Sequence, residues 1–216
     1  MRGAFHDELN HLSAALVEMS ERVDVALQQA SAALINADLD AAESVISADA
    51  AIDALQVETE ERGMELLARQ QPVAGDLRLI ITAFRMVSSL ERMGDLARHV
   101  AQIARMRYPE PALPPEIRPH FQEMADVAHE IVQKVRLLLE GHDVVLAAEL
   151  DADDNRMDEL HRRMFRVLYQ DWPHGMETAV DVTLLSRYYE RYADHAVSVA
   201  RRVVQLVTGV APAQQP

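Results

Sequence analysis

The sequence contains an internal repeat, and this feature limits the possible folds more than any other. With a shift of 105 positions (154 minus 49), DAAIDAL at residues 49–55 aligns with DNRMDEL at residues 154–160. With a shift of 99 positions (190 minus 91), LERMGDLA at residues 90–97 aligns with YERYADHA at residues 189–196. Such a repeat predicts two similar units in tandem.

Apolar residues in both copies recur at alternating spacings of three and four, which is typical of helices packed in a bundle. We call this stripe the seam. It consists of Met86, Leu90, Met93 and Ala97 in the first copy, and Leu185, Tyr189, Tyr192 and Ala196 in the second. An aromatic content of only 5% and just seven glycines also favour helix over sheet. Breaks in the pattern divide the chain into six long helices, with Asp76 expected as the N-cap of the third.

A proline-rich segment separates the two copies. Five of the nine prolines fall within residues 107–119, and proline clusters of this kind interrupt helices. The sequence therefore predicts an all-α fold of two tandem, pseudo-symmetric three-helix bundles. The predicted parts are a first bundle at 1–107, a linker at 108–119, a second bundle at 120–209 and a disordered tail at 210–216.

Composition excludes several classes of function. A formal net charge of −14 without basic blocks argues against binding to nucleic acid, because lysine and arginine supply most of that affinity. No apolar run approaches the roughly 18 residues of a membrane helix, and the first residues do not resemble a secretory signal. We find no glycine-rich phosphate loop, paired nucleophile and base, or nucleotide fingerprint, so we expect no enzymatic activity.

Pairs of acidic residues four positions apart occur in register in the two copies. Residues with this spacing lie on one face of a helix, where like charges repel. Relative to Leu90, Glu91 and Asp95 lie about 100° and about 140° around the helix, so we expect them to flank the seam without being buried in it. The same holds for Glu190 and Asp194 in the second copy. If the helices lie side by side, four carboxylates meet in each copy: Asp49, Asp53, Glu91 and Asp95 in the first, and Asp154, Asp158, Glu190 and Asp194 in the second.

Oxygen-rich clusters of this kind bind hard cations such as Mg²⁺, Ca²⁺, Mn²⁺ or ferric iron, whereas zinc is a less natural occupant of such a site. The residues alone leave other interpretations open. The acids are equally consistent with a solvated face neutralised by nearby arginines, namely Arg85, Arg92, Arg98, Arg187 and Arg191. His99 and His195 each lie close to a cluster in sequence, but they do not occupy equivalent positions, which argues against a shared role as ligands.

Two further classes of protein remain possible at this point. One is a ferritin-like metal oxidase or iron-binding protein, which uses Glu-x-x-His motifs in a four-helix core. The candidate motifs are Glu8/His11, Asp126/His129 and Asp158/His161, but they are out of register with the repeat. The other class is a metal-free helical scaffold that self-associates.

Three stretches resemble the PhoU family of phosphate-signalling regulators. They are ARQQPVAGDLRLI (68–80), LERMGDLARHVA (90–101) and YERYADHAVSVA (189–200), and the acidic repeats accompany them. The resemblance extends over nearly the whole chain. It implies two three-helix bundles, each with a metal site built from the acidic pairs listed above and occupied by iron, manganese, magnesium or zinc. Tyr192 and Ala193 depart from the family pattern of an aliphatic residue and a glycine.

The same resemblance implies a cytoplasmic, non-enzymatic adaptor. Proteins of this family act beside the phosphate ABC transporter and a membrane sensor histidine kinase. They restrain uptake and hold the kinase in its repressing state when phosphate is plentiful. The partners implied for this chain are therefore the sensor kinase, the transporter's ATP-binding subunit and a second copy of the chain as a homodimer.

Overall fold

The protein is built from helices, as the sequence predicts. The computed structural model describes residues 2–70, 72–141 and 146–208, and these contain no strand. The predicted tail at 210–216 lies outside the described residues. None of the described helices has a stretch long and apolar enough to cross a membrane. The helices are α1 (Arg2–Asn36), α2 (Leu39–Gln70), α3 (Gly75–Arg107), α4 (Arg118–Leu139), α5 (Leu146–Leu168) and α6 (Gly175–Thr208).

Local sequence explains where α2 and α3 begin. Ala37 has a φ of 53°, which ends α1, and the Asp38 side chain accepts a hydrogen bond of 3.0 Å from the Ala41 amide at the start of α2. The prediction of Asp76 as the N-cap of α3 was wrong. Ala74, with a φ of 49°, occupies that position without a side-chain cap. The turn at Ala74 places Asp76 inside the first helical turn, where its charge is still favourable near the helix N-terminus.

The six helices form two triplets that share one core. Helices α1, α2 and α3 contact one another, as do α4, α5 and α6, and the triplets meet along α1/α4 and α3/α6. All eight seam residues are buried and belong to a single hydrophobic cluster that spans both triplets. The two-bundle architecture is therefore confirmed, whereas the boundaries at 107 and 120 remain predictions about separable domains.

The proline-rich segment between α3 and α4 packs against the core. Ala112, Leu113 and Ile117 are buried, and Arg118 donates a hydrogen bond of 3.2 Å from Nε to the Leu113 carbonyl. A segment with this much buried apolar surface is held in place by the hydrophobic effect. It joins the two triplets as a packed connection.

Polar contacts also link the two triplets. Helices α3 and α6 run antiparallel, because His99 lies beside Tyr188 with ring centroids 5.2 Å apart, while Arg107 at the end of α3 contacts Asp181 near the start of α6. Where α1 meets α4, the buried Asp24 of α1 accepts hydrogen bonds of 2.8 Å from His129 and Gln133 of α4. The contacts at Asp24 and Asp181 help to fix the relative position of the triplets, since each gives a buried carboxylate a partner.

Two buried seam tyrosines differ in how their hydroxyl groups are satisfied, and this difference predicts opposite mutational effects. The Tyr189 hydroxyl lies 2.6 Å from the Ser31 hydroxyl. The Tyr192 hydroxyl is buried without a hydrogen-bond partner among the described residues. We expect Tyr189→Phe to destabilise the protein and Tyr192→Phe to stabilise it, each by about 1 kcal/mol. Urea denaturation of both variants tests this, and a loss of stability in Tyr192→Phe would contradict it.

Candidate carboxylate cation sites

The first predicted set of acids lies together where α2 and α3 pack. Burial and the charges of Asp53 and Asp95 raise the pKa of Asp49, while Arg98 opposes the shift. Burial and the neighbouring Asp95 raise the pKa of Glu91. Such mutual effects require the carboxylates to be close in space. The structure therefore brings together all four acids that the repeat pairs in the first copy.

A glycine allows the two helices to approach closely at this cluster. A Cβ atom at Gly94 would lie 3.0 Å from Cδ1 of Ile52 and 3.4 Å from Oδ1 of Asp49. The side chain of Asp49 on α2 consequently lies against the backbone of α3 between the two acids of that helix. Beside it, a cleft of about 260 Å³ between α1 and α2 is lined by Val25, Ile52 and Asp49. Asp49, although mostly buried, is therefore reached from solvent.

Arginines neutralise this first cluster, and one of them reaches across to a second helix. Arg98 contacts Asp49 on α2, with 2.5 Å between Nε and Oδ2, and also contacts Asp95 on its own helix. Arg92 contacts Asp95 from the exposed side, with 2.8 Å between Nη1 and Oδ2. Burial opposes ionisation of Asp95, but the hydrogen bonds from Arg98 prevail and lower its pKa. The spacing Asp95-x-x-Arg98 predicts the contact within α3, since residues three apart meet on a helix, but it does not predict the contact with Asp49 on α2.

The second set of acids lies together between α5 and α6. Burial, followed by the charges of Asp194 and Asp158, raises the pKa of Asp154 to about 6. Burial and the charge of Asp194 raise the pKa of Glu190 to about 7. Both shifts mean that ionising this cluster in the folded protein is costly. The second cluster is therefore the less well neutralised of the two.

The position of Glu190 differs from the prediction that it flanks the seam. Glu190 is only 9% exposed, whereas Asp194 lies at the solvent edge of the cluster. Arg187 contacts one carboxylate oxygen of Glu190, and the other, Oε2, is buried with no hydrogen-bond partner in the described parts of the chain. The angle around one helix could not predict this burial, because α5 packs against α6 and covers that flank of the seam.

The donor chemistry of both clusters suits a hard cation, but neither forms a ready cage. No group of three or more acidic or histidine side chains in residues 2–70, 72–141 and 146–208 is arranged to hold a metal ion as it stands. Each cluster offers four carboxylates, which are the ligands that Mg²⁺ and Mn²⁺ prefer. In the second cluster one of these oxygens, Oε2 of Glu190, has no hydrogen-bond partner among the described residues. Cation binding would therefore require carboxylate side chains to rotate toward a common centre.

The histidines near the clusters have other neighbours. His99 lies against Tyr188. Burial and then Arg98 lower the pKa of His99, while burial and then Arg191 lower that of His195. Both imidazoles are therefore favoured in the neutral form. Two histidines of the ferritin-like motifs are also engaged elsewhere: His129 with Asp24, and His161 at 3.0 Å from the Ser186 hydroxyl.

The two copies of the repeat coincide with a known domain family. The family model of the PhoU domain matches this chain twice, over residues 16–104 and 121–203. The chain belongs to the PhoU family. Each PhoU match covers one helix triplet with its carboxylate cluster, so the repeat recognised in the sequence corresponds to two PhoU domains.

Similar proteins cover nearly the full length of the chain. Phosphate-specific transport system accessory protein PhoU homolog 2 of Mycobacterium tuberculosis is 49% identical over 213 residues, which span 98% of this chain and all of the relative. PhoU homolog 1 of Mycobacterium leprae is 46% identical over 98% of this chain and 96% of its own length. The crystal structure of PhoU from Pseudomonas aeruginosa superimposes with a TM-score of 0.86 at 29% identity, over 95% of this chain and all of that one.

Proposed function

We propose that this protein is an accessory regulator of phosphate transport that acts as a cation-binding adaptor. The observation that supports this proposal is the full-length similarity to phosphate-specific transport system accessory proteins, at up to 49% identity in the relatives described above. In this role the chain contacts the ATP-binding subunit of the phosphate ABC transporter and a sensor histidine kinase in the cytoplasm. When phosphate is plentiful it restrains uptake and holds the kinase in its repressing state, and it performs no catalysis.

The clusters give the adaptor a physical means of fixing its shape. The second cluster joins α5 to α6 with carboxylates that repel one another, and the first joins α2 to α3. A bound cation would supply the positive charge that offsets this repulsion. The acids of each cluster would then hold two helices in one arrangement, which fixes the outer helix faces available to a partner.

The adaptor role predicts phosphate-dependent partners. We expect the tagged protein, purified from its own cells grown in abundant phosphate, to carry the transporter's ATP-binding subunit or the sensor kinase. The amount recovered should change in cells grown in scarce phosphate, as measured by quantitative mass spectrometry. A tagged unrelated helical protein from the same cells is the control. Recovery of neither partner in either condition would refute the adaptor role.

The metal part of the proposal has a separate test. Purified protein is stripped with a chelator, reloaded in turn with iron, manganese, magnesium and zinc, and its metal content is measured after dialysis. We expect retention that falls when Asp158 or Asp53 is replaced by asparagine. A protein that retains none of these metals would be a metal-free helical scaffold, in which the arginines alone neutralise the acids. The partner experiment would then still decide the adaptor role.

A further inference from the structure

The two carboxylate clusters occupy equivalent positions in the repeat but are neutralised differently. In the first cluster, Arg98 lies between acids from two helices and contacts both Asp49 and Asp95. Its side chain is 30% exposed, and that of Asp49 is 10% exposed. A guanidinium in this position does what a bound cation would do, because it places positive charge between carboxylates of α2 and α3.

The second cluster lacks this arginine. The shift of 99 positions places Val197 where the first copy has Arg98, and Val197 is buried. The arginines near the second cluster lie at its margins. Arg187 contacts Glu190 from three positions away on the same helix, and Arg201 pairs with Asp151, outside the predicted set of four acids. No arginine in the described residues bridges α5 to α6 within that set as Arg98 bridges α2 to α3.

An unpartnered carboxylate oxygen distinguishes the second cluster further. Oε2 of Glu190 is buried and accepts no hydrogen bond from the described residues. A buried carboxylate oxygen without a donor is unfavourable, and a cation that reaches it would remove that cost. A cation that enters the first cluster must instead separate Arg98 from the two acids it contacts.

We propose that Arg98 is an internal counter-cation that competes with metal for the first cluster, so that the second cluster binds a hard divalent cation at lower concentration than the first. This inference rests on the proposed cation sites and assigns them unequal roles. The second cluster then holds metal at low concentrations. The first exchanges Arg98 for metal only when the cation is abundant.

The test measures Mn²⁺ binding to the full-length, chelator-stripped protein by calorimetry, together with the electron paramagnetic resonance of free Mn²⁺. We expect two classes of sites. Asp158→Asn should weaken the tighter class, and Asp53→Asn the weaker one. Arg98→Gln should tighten the weaker class by at least about tenfold, because metal no longer has to displace the hydrogen bond from Arg98 to Asp95 and the ion pair between Arg98 and Asp49.

Arg92→Gln is the matched control. Arg92 also contacts Asp95, but its side chain is 59% exposed, and its ion pairs within the described residues are with Glu91 and Asp95 of its own helix. Its loss should therefore change Mn²⁺ affinity much less than the loss of Arg98. If Arg98→Gln does not fold, as judged by circular dichroism, Arg98→Lys serves instead. A single ammonium cannot match the two-sided contact, so the weaker class should still tighten measurably.

The outcomes separate the inference from the function on which it rests. Equal effects of Asp53→Asn and Asp158→Asn, or equal effects of Arg98→Gln and Arg92→Gln, would overturn the competition by Arg98 while leaving cation binding in place. Absence of Mn²⁺ binding in every variant would overturn the cation sites and the inference together. The partner experiment would be unaffected by either result.

Discussion

Arg107→Ala is expected to lower the free energy of unfolding by about 3–5 kcal/mol, because it leaves a buried carboxylate without its partner. Asp181 is only 3% exposed, and Nε of Arg107 lies 2.6 Å from its Oδ2. The pair joins the end of α3 to the start of α6, so its loss also weakens the contact between the two triplets. Urea denaturation followed by circular dichroism measures the change.

A second ion pair between the triplets provides the control. Arg136 of α4 lies 3.2 Å from Glu21 of α1, but the two side chains are 33% and 52% exposed. Arg136→Ala should therefore cost less than about 1 kcal/mol. In the double variant Arg107→Ala/Asp181→Asn the uncompensated charge is gone, and part of the lost stability should return. Equal costs for the two single variants would show that burial of Asp181 does not determine the effect.

Glu190→Gln is expected to stabilise the metal-free protein at pH 8 by about 2 kcal/mol, which allows for partial screening by water around the cluster. Burial and then the charge of Asp194 raise the pKa of Glu190 from 4.5 to about 7 in the folded state. Below pH 4.5 the group is protonated in both states. As the pH rises toward 7 and beyond, the unfolded state ionises first, and the folded state loses stability.

Burial and neighbouring acids raise the pKa of Asp154 in the same direction, to about 6, so the wild-type protein should lose stability between about pH 4 and pH 7 from both groups. Glutamine at position 190 does not titrate, and the variant should show a weaker pH dependence. Denaturation series at several pH values, with chelator present, compare the two proteins. Glu61→Gln, on an exposed part of α2, is the control and should follow the wild type. A steeper dependence in Glu190→Gln would contradict this account.

The repeat and the seam were sufficient to predict the fold because both depend on spacing along the chain. Burial of Met93 and Tyr192 at equivalent positions follows from helical periodicity, and the structure confirms it. The start of α3 was predicted less well, because the positive φ of Ala74 reflects how the chain enters that helix. No residue preference at Asp76 reveals that geometry.

The sequence was sufficient to predict which acids of the candidate site lie together, but not how buried they are or which arginines neutralise them across helices. Register between the copies identified which acids meet, since helix pairs in a repeat pack alike. It did not reveal that Glu190 is covered by its neighbours or that Arg98 reaches across to Asp49. Both depend on contacts between side chains of neighbouring helices whose positions in the chain are tens of residues apart. The metal ligation implied by the family resemblance remains a proposal for the experiments above.

The antiparallel contact between α3 and α6 has a consequence for how such a chain can arise. These two helices are equivalent members of the repeat, so each triplet presents the same kind of face to the other. A single triplet on its own would expose the apolar part of that face and would need a second copy to cover it. Joining the copies through residues 108–117 replaces a concentration-dependent association with an intramolecular one. Within one chain the two halves need not be identical, and they differ at Arg98 and its equivalent, Val197.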